Sequence, residues 1–313
     1  MSVILMRLMM TDGRQLLYGG LVFSRMAVLH IWIGRGWKLL FTFAVMEDIK
    51  HINSLQNDLI KKILVLKEKS RERKKTGLFV LEGLRELQLA VRGRYSVAKV
   101  LFLKDLISET DLRHFFDPDK SGPELISISN EVYKKLAYRE STEGIIALIH
   151  TKTHTLEALA PKINPLILVA EAPEKPGNIG ALLRTADAAR LDAVIIANPK
   201  TDLYNPNIIR SSVGCLFTST IATGTTSEVI TFLRQNKIAI YCAALTASKN
   251  YVEIDFNGPS AIVVGTESTG LSEEWLDSSD QNIIIPMQGE IDSLNVSVSA
   301  AILIFEAARQ RGF

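Results

Sequence analysis

Three polar loops, each following a run of Ile, Val and Leu, hold the residues best equipped for chemistry. The first, EAPEKPGNIGALLRTADAA (171–189), turns at Pro176-Gly177 and offers Asn178 as N-cap of a helix with core stripe Ile179, Leu182, Leu183 and Ala186. Arg184 falls off that stripe, over the small Ala181 and Ala188, within reach of the strand ends. Taken alone, Asn178 and Arg184 read more simply as a cap and a solvated arginine. In the second loop, IVVGTESTGLSEEWL (262–276), two glycines would let backbone approach a ligand, Glu267 sits centrally and Ser272 could cap the next helix. Such a Gly-x-Glu-x-x-Gly is usually just a turn, and it is not the dinucleotide fingerprint. The third, IIIPMQGEIDSLNVSVSAAILIFEAARQR (283–311), places Gly289, Ser293 and Asn295 ahead of a helix that is apolar on nearly all sides until Glu306. Polar groups at the entry to so apolar a helix are costly unless they find partners, which makes this loop the better pointer to a ligand site. No histidine occurs in the three loops, so a histidine base is excluded.

These loops need strands and helices to hold them. From 164 to 313, continuous apolar runs at PLILVAEA, AVIIAN, TSTIAT, IAIYCAAL, AIVVGTE and NIIIP predict strands. Helical stretches at 179–190, about 206–213, 226–235 and 272–277 separate them, and a long helix over about 294–309 closes the chain. That pattern predicts a mostly parallel sheet covered on both faces, with ligands bound beyond the carboxyl ends of its strands. Before it, LFVLEG, VAKVLFL, ELISIS and GIIALIH alternate with helical segments and predict a smaller α/β unit. THTLEALAPKINP (153–165) reads as the linker. The stripe Ile49, Ile52, Leu55, Leu59, Ile63, Leu66 predicts an amphipathic helix or a broken helix pair, running into a segment (61–75) with eight positive charges against two negative.

Length and composition suit two ordinary globular domains, and a net charge of +2 makes any polyanion contact local. Cys215 and Cys242 lie in apolar segments without metal-ligand spacing and point to a reducing compartment, hence the cytoplasm. In residues 1–45 no uncharged stretch is long enough to span a membrane, and neither a signal nor a transit peptide fits. That region is expected to be a poorly defined extension, with the working protein beginning near Met46.

Together, NIGALLRTADA, IVVGTESTGLS and IPMQGEIDSLNVSVSAA resemble, in order and separation, the three motifs of the SpoU/TrmH family of RNA 2′-O-ribose methyltransferases, in the SPOUT superfamily. DLYNPNIIRSSVG (202–214) is similar to the family's Asn-Pro and Arg-Ser-Ser-x-Gly segment, while RERKKTGLFVLEG and STEGIIALI look like the RNA-binding domain that precedes many members. EAPEKPGN departs from the expected acid-rich lead-in, and 1–45 has no counterpart. The resemblance implies an α/β fold with a C-terminal parallel-sheet SPOUT domain (164–313) containing a deep trefoil knot. A small α/β RNA-binding domain (46–152) and a linker (153–163) precede it. It further implies a homodimer packed through the knot region, and S-adenosylmethionine held at Gly265, Ile285 and Leu294 with Met287 nearby.

The matching catalytic set is Asn178, Arg184, Glu267, Ser293 and Asn295. Methyl transfer to a 2′-hydroxyl needs an in-line approach and loss of a proton. An arginine is a poor base because it stays charged, so Arg184 is assigned to gripping the phosphate beside the ribose and stabilising alkoxide charge. With such a substrate the basic segment gains a purpose, and Arg71, Arg73, Lys74 and Lys75 are expected to bind RNA. The separate N-terminal domain favours rRNA over tRNA by analogy. The alternatives are a tRNA 2′-O-methyltransferase and a non-catalytic ribosome-assembly protein of the same fold.

Overall fold

The computed structural model describes residues 10–11, 15–18, 21–22, 27–33, 37–43, 49–116, 122–138, 143–160, 162–246, 248–266 and 268–312. The chain divides into two compact units, Met1–Lys50 and His51–Phe313. In the first, β1 (Met10–Thr11), β2 (Gln15–Tyr18) and β3 (Leu21–Val22) form an antiparallel sheet, and β4 (Ala27–Ile33) pairs antiparallel with β5 (Trp37–Phe43). The sequence reading assigned no elements to this region.

The second unit contains two sheets. Its first has β6 (His51–Ile52), β7 (Leu78–Glu82), β8 (Val97–Phe102), β9 (Glu124–Ile128) and β10 (Ile145–His150) in the order β6-β9-β8-β10-β7. β10 runs antiparallel to both neighbours, whereas β6, β9 and β8 are parallel. Around it lie α1 (Asp58–Glu68), α2 (Ser70–Thr76), α3 (Leu84–Arg92), α4 (Glu109–Arg113) and α5 (Asn130–Leu136). The expected apolar stripe is helical only from Asp58, where the Asn57 side chain caps α1 by accepting from Leu59 N. Its buried residues are Ile60, Ile63 and Leu66, while Ile52 belongs to a strand. Extended Lys69 (φ −108°, ψ 108°) breaks the helix into a pair.

The second sheet has β11 (Leu166–Glu171), β12 (Ala193–Ala197), β13 (Ile221–Gly224), β14 (Ala239–Ala243), β15 (Ser248–Asn250), β16 (Ser260–Val264) and β17 (Gln281–Ile284). Their order is β13-β12-β11-β16-β14-β17-β15, and every pairing is parallel. β11, β12 and β16 are buried along their whole length, as continuous Ile/Val/Leu runs require when helices cover both faces. Connecting helices are α6 (Pro176–Ala188), α7 (Pro206–Ser211), α8 (Cys215–Thr218), α9 (Thr226–Gln235), α10 (Glu273–Asp277) and α11 (Val296–Gln310). On one face Ile167, Val169, Ile195, Ile240 and Val263 pack with Val229 and Leu233 of α9 and Trp275 of α10. α6 and α11 pack together and reach β12 and β16 respectively.

Between 206 and 223 the expected single helix and early strand are replaced. Val213 (φ 52°) and Gly214 (φ 82°) turn the chain, a short α8 follows, and β13 starts only at Ile221. Among its described residues the stretch read as linker contains a single 3-10 turn, Leu156–Ala158, and packs against the second sheet: Leu156 joins its core and Thr223 N donates to His154 O at 2.7 Å.

The sheets meet at a seam of aromatic rings and one ion pair. Phe79 of β7 stacks on Tyr204 with centroids 4.4 Å apart and lies 5.9 Å from Phe217, while Tyr95 meets Phe217 edge-on at 5.2 Å. Burial pushes the phenols of Tyr95 and Tyr204 above their ordinary range. Arg73 is a correction to the expected RNA-binding set, because its side chain is only 3% exposed and bridges to Asp202 (Nη2 to Oδ2, 2.6 Å). Its Nη1 also donates to the carbonyls of Leu66 and Lys67, and Nε to Asp202 Oδ1. Truncating Asp202 strands this buried charge. Asp202→Ala is expected to lower stability by about 3–5 kcal/mol and Tm by roughly 6–15 °C; a thermal melt within 2 °C of wild type would contradict that role.

Candidate active site

The loops after β14, β16 and β17 and the entry to α11 enclose a cleft of about 550 Å³ at the carboxyl ends of the parallel strands. Parallel α/β sheets place their ligands there, and the volume suits a small organic molecule. Its apolar floor includes Val264, Ile283 and Leu303. Gly265, Ile285, Met287 and Leu294, the four expected cofactor residues, all line it, as does Ser293.

Close approach of backbone to backbone explains Gly265. Thr266 N donates to Gly270 O and Gly270 N to Thr266 O, each at 3.1 Å, so the loop folds back on itself. A methyl group on Gly265 would collide with the Gly270 carbonyl and the Leu271 nitrogen, both of them backbone. Gly270 holds φ 68°, a value that favours glycine. Glu267, expected at the centre of this loop, lies outside the described residues.

Two of the expected catalytic residues meet beside Leu294 and Val296, which line the cleft. Asn295 is the N-cap of α11, and its Oδ1 accepts from Ser297 N (3.0 Å) and Ser297 Oγ (2.6 Å). With the oxygen committed to the helix end, the amide nitrogen faces outward and donates to Asn178 Oδ1 at 3.2 Å. Ser293 Oγ donates to Asp292 Oδ1 at 3.2 Å. Asn178 is not the helix cap expected from sequence. Pro176 opens α6 at its first position and Lys175 is the N-cap residue, which puts Asn178 inside the first turn, aimed at the other loop. α6 is pressed tightly on α7: a methyl on Gly180 would strike Ser211 and the Ser212 backbone, which accounts for small residues in that segment.

Arg184 lies farther along the same helix. It stands exposed on α6, six residues and about 9 Å of helix rise beyond Asn178, and does not line the cleft. Arg71, Lys74 and Lys75 are exposed on α2. Sequence reasoning missed Glu171, the last residue of β11 and 6% exposed. Its carboxylate accepts from Ser272 N (2.8 Å), Ser272 Oγ (2.7 Å) and Thr226 Oγ1 (3.0 Å), tying the far end of the Gly265 loop to β11. Ser272 therefore spends its hydroxyl on Glu171 and makes no side-chain cap for α10. The available signal was an acid ending an otherwise unbroken apolar strand, LILVAE.

A family model described as the SpoU rRNA Methylase family matches residues 165–305, and one for the MRM3-like substrate binding domain matches 57–147. The chain is 30% identical over 257 residues to the 23S rRNA (guanosine(2553)-2′-O)-methyltransferase RlmP of Bacillus subtilis, covering 82% of this chain and 98% of that protein. A crystal structure of an RNA 2′-O ribose methyltransferase is similar with TM-score 0.72 and 38% identity, over 84% of this chain and 100% of that one. The SpoU methyltransferase AviRb of Streptomyces viridochromogenes, in complex with AdoMet, is similar with TM-score 0.74 and 25% identity, over 82% and 98%.

The Gly265 geometry predicts a local effect. Gly265→Ala is expected to cost about 1–3 kcal/mol by overpacking and to expose the amides of Thr266 and Gly270 to faster hydrogen exchange. Unchanged exchange at both amides would mean that the loop does not depend on this contact.

Proposed function

The chain belongs to the SpoU family of RNA methylases, and from that premise we propose that it methylates a ribose 2′-hydroxyl of ribosomal RNA, with S-adenosylmethionine as methyl donor. The observation that carries this reading is the meeting of Asn178 with Asn295, which stands between Leu294 and Val296 of the cleft that Gly265, Ile285 and Met287 also line. The cleft fits the donor: an apolar floor for a flat base, backbone groups and hydroxyls at its edge, and a loop that leaves no room for a side chain at Gly265. When bound, S-adenosylmethionine supplies an electrophilic methyl carbon.

The protein's contribution is position and charge. Gly265, Ile285, Met287 and Leu294 hold the donor, chiefly through backbone groups and apolar contact. Asn295, its orientation set by the α11 cap, and Asn178 present amides that align the ribose, with Ser293 beside them and Glu267 steadying its loop. Arg184 grips the adjoining phosphate and stabilises alkoxide charge as the hydroxyl loses its proton. The exposure of Arg184 on α6 supports a phosphate running along that face of the helix. Arg71, Lys74 and Lys75 hold RNA farther from the cleft, without Arg73.

RlmP acts on 23S rRNA, and together with a substrate-binding domain matched over 57–147 it favours rRNA over tRNA. The resemblance supports a trefoil knot in the cleft-forming loops and a homodimer packed through that region. Val298 and Phe305, 46% and 41% exposed on α11, leave apolar surface for a second copy. No described helix is long and apolar enough to cross a membrane, and the free thiols Cys215 and Cys242 favour a reducing compartment, the cytoplasm.

Labelled methyl transfer from S-adenosylmethionine to separated rRNA and tRNA from cells lacking the protein, followed by nuclease mapping, tests the reading. The expected product is a 2′-O-methyl nucleotide in rRNA; label in neither pool, with cofactor binding intact, would favour the non-catalytic alternative. Arg184→Ala should lower kcat at least roughly 100-fold while sparing cofactor affinity; loss of both would make the arginine structural. Neutralising Arg71, Lys74 and Lys75 to Gln should flatten the salt dependence of RNA binding by about 2 in log–log slope; an unchanged slope would remove α2 from the RNA interface.

A further inference from the structure

The mechanism leaves two depressions along the seam between the sheets without a use. One, of about 570 Å³, is lined by Arg85, Arg92, Arg94 and Lys152, with Asp187 as its one carboxylate. The other, of about 410 Å³, carries Lys74, Lys152 and Lys200 around the already neutralised Arg73–Asp202 pair. Lys152 lines both, so the basic side chains form one continuous band.

The placement of these cations follows from local structure. Arg85 and Arg92 are seven residues apart on α3 and share its outer face, opposite the buried Leu87 and Ala90. Arg94 follows at φ 58°, past the end of that helix. Lys152 Nζ sits 4.3 Å from the Tyr95 ring centroid and donates to Gly93 O at 2.6 Å. Partial burial, and then the neighbouring Arg94 charge, hold its ammonium below the ordinary lysine range. Arg85, Arg92 and Arg94 are all exposed and join no ion pair among the described residues. Asp187, which lines the first depression, stands three residues after Arg184 on α6, so the band ends one helical turn from Arg184.

Asp187 is the single carboxylate among the cations of the first depression, and Arg85 alone also shares a neighbouring cavity with Glu82, Glu86 and Glu143; the excess positive charge repels itself, and the repulsion is relieved when a polyanion covers it. We propose that Lys74, Lys200, Lys152, Arg94, Arg92 and Arg85 form the track along which the phosphate backbone of the substrate RNA reaches Arg184. The track rests on the RNA methyltransferase reading and adds the strand's path to it. Guanidinium forks match phosphate oxygens. An acidic protein partner would call for an apolar centre, whereas the nearby Tyr95 and Phe217 are buried in the seam.

The test uses the full chain with Arg85→Gln/Arg92→Gln/Arg94→Gln and a fluorescein-labelled single-stranded RNA of mixed sequence, titrated by anisotropy across a series of salt concentrations. Three lost phosphate contacts at about 0.7 each lower the slope of log affinity against log salt by about 2, roughly a 50-fold loss at physiological salt. S-adenosylmethionine affinity, read by calorimetry, and Tm should match wild type. Lys237→Gln/Lys249→Gln, outside the band, should keep the wild-type slope. An unchanged slope in the triple variant overturns the track, and so does an equal loss in the control pair. Lost polyglutamate binding with RNA binding retained also overturns it, in favour of an acidic protein. If the triple variant melts early, Arg92→Gln alone decides, with an expected slope change of about 0.7. Wild type that needs the band for RNA binding yet methylates no RNA overturns the catalytic reading and keeps the track; wild type that methylates rRNA while the variants bind normally does the reverse.

Discussion

A guanidinium that cannot reach water must be answered where it lies, and Arg73 sets that demand at the junction of the two sheets. Asp202 answers it from the segment after β12, while the carbonyls of Leu66 and Lys67 take its remaining donors at the corner between α1 and α2. Asp202 Oδ1 also accepts from Tyr204 N, and the Tyr204 ring lies stacked on Phe79. One ion pair and four rings thus couple the helix pair, the first sheet and the second. The direction in which Arg71, Lys74 and Lys75 face solvent follows from that anchoring, since their buried neighbour holds α2 in place.

The cleft depends on the same economy of backbone polar groups. α11 begins with unsatisfied N–H groups, and Asn295 answers one of them with its side-chain oxygen. That commitment orients the rest of the amide toward Asn178 on α6, so the end of a helix decides which way a rim residue points. At the far end of the Gly265 loop, Glu171 ties Ser272 to β11, and Gly265 lets that loop close on itself. The Asn178–Asn295 and Glu171–Ser272 contacts each join segments more than a hundred residues apart in the chain, and the second fixes its loop to the end of a rigid strand, which is how a parallel sheet converts fixed strand ends into a fixed site.

Much of this was legible because burial on both faces leaves a strong mark on sequence. The strands LILVAE and AVIIA stand within their apolar runs, SAIVV starts one residue before its run and ends three short of it, and Ile179, Leu182, Leu183 and Ala186 form the buried stripe that their spacing predicts. The errors fall where one residue has two physical options. Asn178 is a good cap, yet Pro176 is a better first residue and moves the helix start back. Ser272 is a good cap, yet a buried carboxylate lies within reach of its hydroxyl. Arg73 looks like one more cation in a charged run, and only Asp202, 129 residues away, distinguishes it.

By itself the sequence determined the α/β class, the parallel C-terminal sheet, the three loops at its strand ends and, through their resemblance, the family. Those properties depend on hydrophobic period, turn residues and short motifs, all encoded within a few neighbours along the chain. Tertiary structure alone decided that Asn178 meets Asn295, that Arg184 stands outside the cleft, that Arg73 serves the seam, and that Arg85, Arg92, Arg94 and Lys152 gather along one depression. The reason is physical: charge compensation and hydrogen bonding act through space over a few ångströms, and local sequence does not record which distant partner the packed sheets bring into that range.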